Sequence, residues 1–210
     1  NGKPKKIRWK LAEIEQKDGI SFLIGKAKVC EIDAVSSVPS LPEEISSEET
    51  GLRVLDNSIG KDEWQRRVEI NRIDEIARFI QIEGNIIANS AILFAPPESK
   101  EWITTDGGNV TVDFSFLKTY TDQSGKTLYT DHHYEDGLPG DLRPMWLIDG
   151  QHRIRGLSRS KVGSEIEIPI IMFTNTFSLA QSAKVFAEIN TFQKKLDALH
   201  TLFMQHRFKI

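Results

Sequence analysis

The chain has 210 residues, 39% of them hydrophobic and 27% charged, the balance of a soluble globular protein with one large domain or one domain and an appendage. A net charge of −3 excludes attraction of nucleic acid by overall charge, so any such contact needs a local basic patch. The single cysteine, Cys30, excludes an intramolecular disulfide and a zinc site built from several thiolates. No apolar run approaches the ~20 residues that span a bilayer, and no secretory segment opens the chain, which predicts a cytoplasmic location and no membrane partner. The first residue is Asn and not Met, which suits either a fragment or a chain trimmed at its start.

Lys3, Lys5, Lys6, Arg8 and Lys10 make the start basic. A solvated, frayed terminus accounts for them, and a phosphate-contacting arm is the alternative. Ser21 to Val29 is apolar at alternate positions and predicts a strand. Cys30 follows in an apolar-flanked run and reads as a buried structural thiol. Residues 36–51 are acidic and proline-bearing, the composition of a surface loop with at most a short helical turn.

Within residues 61–83, Ile70, Ile73, Ile76, Ala77 and Ile80 recur at three- and four-residue steps, which predicts a helix over 71–80, closed by Gly84 and Asn85. Ser90 to Ala95 is a short apolar strand stopped by Pro96-Pro97. Alternation on either side of Asp106-Gly107-Gly108-Asn109 predicts a hairpin. His132 and His133 lie among Asp131, Glu135 and Asp136. Their spacing fits an exposed loop better than a metal site. Trp146 to Ile148 and Glu165 to Phe173 read as core strands, the first running into a helix with Ile154 and Leu157 inward. Residues 178–190 and 195–208 read as helices. The sum is an α/β fold with a small, mostly mixed sheet containing Ile92, Leu147 and Ile170.

The informative segment is Leu147-Ile148-Asp149-Gly150-Gln151-His152-Arg153-Ile154-Arg155-Gly156-Leu157. A strand that feeds directly into a helix exposes backbone N–H groups at the turn, and these with the helix dipole attract anions, phosphate above all. Gly150 allows a positive φ or close backbone approach. Asp149 is placed to cap the helix or to hold a metal or a water. Arg153 and Arg155 are potential bidentate phosphate donors, and His152 is a donor, acceptor or base near neutral pH. Asp149 and Arg153 lie one turn apart, as do Gln151 and Arg155. Plain helix capping with two solvated arginines accounts for the same residues. The segment has no Lys-Ser/Thr pair and is not a Walker-type loop.

Asp149 to Arg153 spells the motif of the DGQHR family, which includes DndB-type proteins of DNA phosphorothioation islands, and the flanking residues Ile148 and Ile154 to Leu157 fit the same pattern. The chain resembles that family and, through it, the ParB/sulfiredoxin-like fold over roughly residues 65–200. Arg67 to Ile80 resembles the early ParB-like segment. Asp149 to Leu157 takes the place of ParB's phosphate motif. Glu188 to Leu196 resembles the family's Asn-x-x-Gln-Lys/Arg-x-Leu segment.

The resemblance implies a ParB-like mixed sheet with flanking helices and a helical C-terminal segment. It divides the chain into an N-terminal strand and polar loop region (1–60), a core (61–190) and the start of a helical part (191–210). It implies a DNA-binding, nucleotide-dependent protein of a DNA-modification or phage-defence system. Asp149, Gln151, His152 and Arg153 are then the catalytic candidates for nucleotide hydrolysis, with ATP and Mg²⁺ as cofactors and Asp149 on the metal. Strand nicking coupled to hydrolysis is a further candidate activity. Gly150, Arg153, Arg155, Arg67, Asn71, Asn190, Lys194 and Lys195 line the phosphate pocket, and Lys5, Lys6, Arg8, Lys194 and Lys195 meet DNA. Other proteins of such a cluster and a second copy of the chain are candidate partners. A non-catalytic regulator or partner-docking subunit is the competing expectation. Nothing in the chain corresponds to ParB's DNA-reading helix-turn-helix, so centromere binding is not carried over.

Overall fold

The computed structural model describes residues 6–16, 19–38, 69–113, 143–174 and 176–178, with 181, 184–185 and 187–189. The fold is mixed α/β, with two sheets and several helices. In chain order the strands are β1 (Lys6–Lys10), β2 (Ala12–Glu15), β3 (Ser21–Lys28), β4 (Ser36–Ser37), β5 (Ala91–Phe94), β6 (Ile103–Asp106), β7 (Asn109–Asp113), β8 (Met145–Asp149) and β9 (Glu167–Phe173). The α-helices are α1 (Val29–Val35), α2 (Ile70–Phe79), α3 (Gln151–Ser158) and α4 (Lys161–Glu165).

The larger sheet has six strands in the order β2-β3-β9-β5-β8-β4. β3 runs antiparallel to β9, β9 parallel to β5, β5 antiparallel to β8, and β8 parallel to β4. Ile92, Leu147 and Ile170 all lie in this sheet, as expected. Its strands include β2, β3 and β4, so residues 12–15, 21–28 and 36–37 belong to the larger sheet, and Ser36 to Val38, expected in a surface loop, are buried where β4 pairs with β8. The smaller sheet, β1-β7-β6, is antiparallel throughout.

β1 is a regular strand, which corrects the expectation of a frayed terminus for residues 6–10. Ile7 and Trp9 point into the core and Lys6, Arg8 and Lys10 stay exposed, the period of two that a half-buried strand requires. The buried Trp9 indole donates to Glu31 Oε2 at 2.9 Å. At Leu11 the chain bends and crosses from the smaller sheet to the larger one, a corner fixed by the Leu11 N–H bond to Gly108 O at 2.7 Å. Gly107 and Gly108, at φ 51° and 81°, form the expected hairpin turn between β6 and β7.

α1 was not expected. Its buried residues Val29, Ile32 and Val35 recur every three residues, a helical stripe that the preceding strand pattern concealed. The same stripe leaves Cys30 only half-buried, against the expectation of a buried thiol. Burial, then the nearby Glu165 and Glu31 carboxylates, push its pKa up, so the thiol is held in its less reactive form.

α2 matches the Ile-rich periodicity and, ending at Phe79, its expected span of 71–80 to within a residue. The Asn85 side chain reaches back to donate to Phe79 O at 2.9 Å and closes the helix end. Ile73 and Ile80 are buried, whereas Ile70 faces solvent.

Leu93, Leu147, Ile168, Ile170 and Met172 meet Val29, Ile32, Ile154 and Leu157 in the main core, which continues to Ile7, Trp9, Val110 and Val112 of the smaller sheet. A second cluster of Ile92, Phe94, Ile148, Phe173 and Phe177 packs with Val185 and Ile189. The described residues from 181 to 189 are helical, in keeping with the expected helix. Residues 114–142, with His132 and His133, and residues 191–210 lie outside the described residues. Among the described residues, no helix is long and apolar enough to cross a membrane.

Candidate functional site

β8 ends on Asp149, and α3 begins at Gln151 with only Gly150 between them. Gly150 has φ 97° and ψ 12°, a left-handed conformation that costs any L side chain energy. It is also crowded: a Cβ there would lie 3.1 Å from Arg153 Nη2 and 3.5 Å from Ala91 Cα. The backbone angle calls for glycine; the added Cβ would also press on the end of the Arg153 side chain while meeting Ala91 at ordinary contact distance. Ile154 N–H donates to Gly150 O at 2.9 Å and closes the first helical turn. The N–H groups of Gln151, His152 and Arg153 precede that bond and have no carbonyl within the helix to receive them.

The charged motif residues have protein partners of their own. Arg153 Nη2 donates to Asp149 Oδ2 at 2.9 Å and to Ser90 O at 2.7 Å. The guanidinium thus lies beneath the Gly150 turn and ties β8 to the start of β5. The β5–β8 ladder is irregular between Ile92 and Leu93, close to this end. Arg153 Nε is buried without a hydrogen-bond partner.

His152 Nε2 accepts the Glu69 N–H at 3.0 Å, so the imidazole is neutral there, with its proton on Nδ1. Burial and the charge of Arg72, with a smaller effect from Arg153, lower its pKa against the opposing pull of Glu69 and Asp149. Glu69 caps α2, so this bond brings the N-termini of α2 and α3 together. Further along, Gly156 packs against Ile73 and Ile76, and Arg159 Nη1 pairs with Asp74 Oδ1 at 3.1 Å. The contacts 69 with 152, 73 with 156 and 74 with 159 advance together, so the two helices run parallel. Their positive dipole ends lie side by side.

Arg155 has a different role from the expected phosphate donor. It is 9% exposed, ion-paired to Asp33 of α1, and its Nη2 donates to Ser36 O at 2.6 Å. It points into the interior on the opposite side of α3 and anchors α1 and β4. Asn71 lies exposed on the first turn of α2, in the same turn as Arg72. Lys6 and Arg8 lie on β1. Lys5, Arg67, Asn190, Lys194 and Lys195 fall outside the described residues. Sequence reasoning missed Arg72, Glu69 and Ser90. Arg72 carried a faint signal, since it is the next residue after Asn71. Choosing between the two needed the rotation of α2 about its axis, which the burial of Ile73 sets.

The donor set does not suit a metal held by the protein. Asp149 is bound by Arg153, and no group of three or more His, Cys, Asp or Glu side chains converges among the described residues. A small recess lined by Ser99, Lys100, Thr105 and Thr174 has room for little more than a water and lies apart from the turn. No protein family, curated protein or solved structure matches the chain.

Proposed function

We propose that the chain is a nucleotide-responsive, DNA-associated binding module of the ParB-like, DGQHR kind, serving a DNA-modification or defence system. The observation that carries the reading is the strand–Gly150–helix turn, with three backbone N–H groups at its mouth and the N-terminus of α2 beside it. Backbone N–H groups at paired helix N-termini favour a polyanion, and a nucleotide's phosphates are the ligand such a turn suits. Arg72 adds a cation at the edge of the same turn, which further supports an anionic ligand. Any Mg²⁺ would arrive with the phosphates, since the motif's one carboxylate already has a cation.

Binding fits this geometry better than hydrolysis. A general base needs an available lone pair, and the His152 Nε2 lone pair is taken by Glu69 N–H. Asp149, Arg153 and His152 act as staples that hold β5, β8, α2 and α3 at the turn, and the ligand meets mainly backbone.

Thermal denaturation with ATP, GTP or CTP tests the reading, because a ligand that binds only the folded chain raises the melting temperature. At least one nucleotide should raise it, by about 2.7 kcal/mol of stability at a hundredfold excess over Kd. The shift should weaken in Arg72→Ala, and phosphate release should stay at background. No shift with any nucleotide, with or without Mg²⁺, contradicts nucleotide binding. Steady phosphate release abolished by His152→Gln would restore the catalytic reading.

A further inference from the structure

We propose that the exposed face of the β1-β7-β6 sheet docks the phosphodiester backbone of DNA, with Lys6, Arg8 and Lys10 as its phosphate ligands. The inference deepens the DNA-binding half of the proposed function and rests on it, but its residues are separate from the nucleotide turn. Alternation along β1 puts all three cations on one exposed face, while Ile7 and Trp9 fasten the other face to the core. Residues directly opposite in an antiparallel ladder share a face. The pairing therefore places Asp113 beside Lys6, Thr111 and Thr104 in line with Arg8, and Asn109 and Asp106 in line with Lys10.

The cations repeat every second residue, about 6.8 Å apart along the strand, close enough together for one stretch of sugar-phosphate backbone to meet all three. The face is polar: hydroxyl and amide groups lie between the cations, the Asp113 and Asp106 carboxylates sit at its two ends, and among the described residues it carries no large exposed apolar side chain, which suits a phosphodiester and gives a lipid surface nothing to bury. Arg8 and Lys10 make no ion pair with a described residue. Lys6 is bound to Asp113 at 2.8 Å, so Asp113 competes with any phosphate for it. Because β1 is a paired strand rather than a loose arm, the three charges are positioned before DNA arrives.

Duplex DNA binding measured by fluorescence anisotropy between 50 and 200 mM salt decides the matter. With two to three phosphates neutralised, the logarithmic salt slope should be about −1.8 to −2.7, a weakening of about 12- to 40-fold across that range. Arg8→Glu with Lys10→Glu should leave a slope near −0.9 or abolish binding. Both side chains are exposed, so the melting temperature should hold. Asp113→Asn should tighten binding by releasing Lys6, an effect that a merely structural role would not produce. An unchanged slope in the double variant, no binding by the wild type at 50 mM salt, or competition by polyglutamate equal to that by DNA would overturn the proposal. A nucleotide-induced thermal shift is read in parallel. If it persists when DNA binding is absent, the sheet face fails and the nucleotide turn stands; if it is absent when DNA binding is intact, the reverse holds.

Discussion

His152 uses its Nε2 lone pair on Glu69 N–H, and this makes the turn sensitive to acid. Its pKa is lowered in the folded chain, so the unfolded chain takes up the proton first as pH falls. The stability held by the neutral imidazole is complete above an unfolded pKa near ~6.5 and is lost as pH falls towards the lower folded value. Chemical denaturation at pH 7.5 and pH 5 should show that loss in the wild type and a smaller one in His152→Gln. Equal losses would show that His152 does not carry the effect. At Gly150, alanine should cost about 1–3 kcal/mol through the left-handed backbone, together with displacement of Arg153. A midpoint unchanged in urea would contradict this. The spacing of Asp149 and Arg153 was legible in the sequence, but Asp149 ends β8 and lies outside α3, so it is the Gly150 turn that brings the two side chains together. The role of Arg155 was not legible, since its partners Asp33 and Ser36 lie more than a hundred residues away in sequence.

The parallel pair α2 and α3 is joined where Gly156 lets the backbones approach. A Cβ at Gly156 would come within 2.8 Å of both Ile73 O and Ile76 Cβ, so there is no room for a methyl group. Gly156→Ala should destabilise by about 1–3 kcal/mol, the usual cost of overpacking. It should also weaken nucleotide binding, because the two helix N-termini separate. Asp33→Ala should destabilise by about 1–3 kcal/mol through loss of the charge-assisted bond that Arg155 Nη1 makes to Asp33 Oδ1. Denaturant titration of each variant measures both. Elements whose period and punctuation agree were readable from sequence: α2 from its isoleucines, the β6–β7 hairpin from Gly107-Gly108, and β8 and β9 from short apolar runs. α1 was hidden because Val29 continues the alternation of β3, and only the later Ile32 and Val35 reveal the change of period. The end of α2 was legible too: the helix stops within a residue of the expected 80, Gly84 is left-handed at φ 82°, and Asn85 satisfies the Phe79 carbonyl.

On the scale of the whole molecule, the turn and the sheet face are built from different elements: backbone donors at the start of α3, and three cations on β1 flanked by Asp113 and Asp106. Both proposed anion contacts therefore draw on local groups and not on the overall charge of −3. Sequence order could suggest that β8 leads into a phosphate-suited turn. It could not show that residues 6–10 form a strand of a second sheet, because that depends on pairing with a hairpin a hundred residues later. The central claim is that phosphates meet the backbone at the start of α3, and amide chemical shifts report on it directly. Titrating ¹⁵N-labelled chain with nucleotide should shift the Gln151, His152 and Arg153 amides most, followed by Glu69 to Arg72. Saturable shifts confined elsewhere, or none at millimolar nucleotide, would contradict the account.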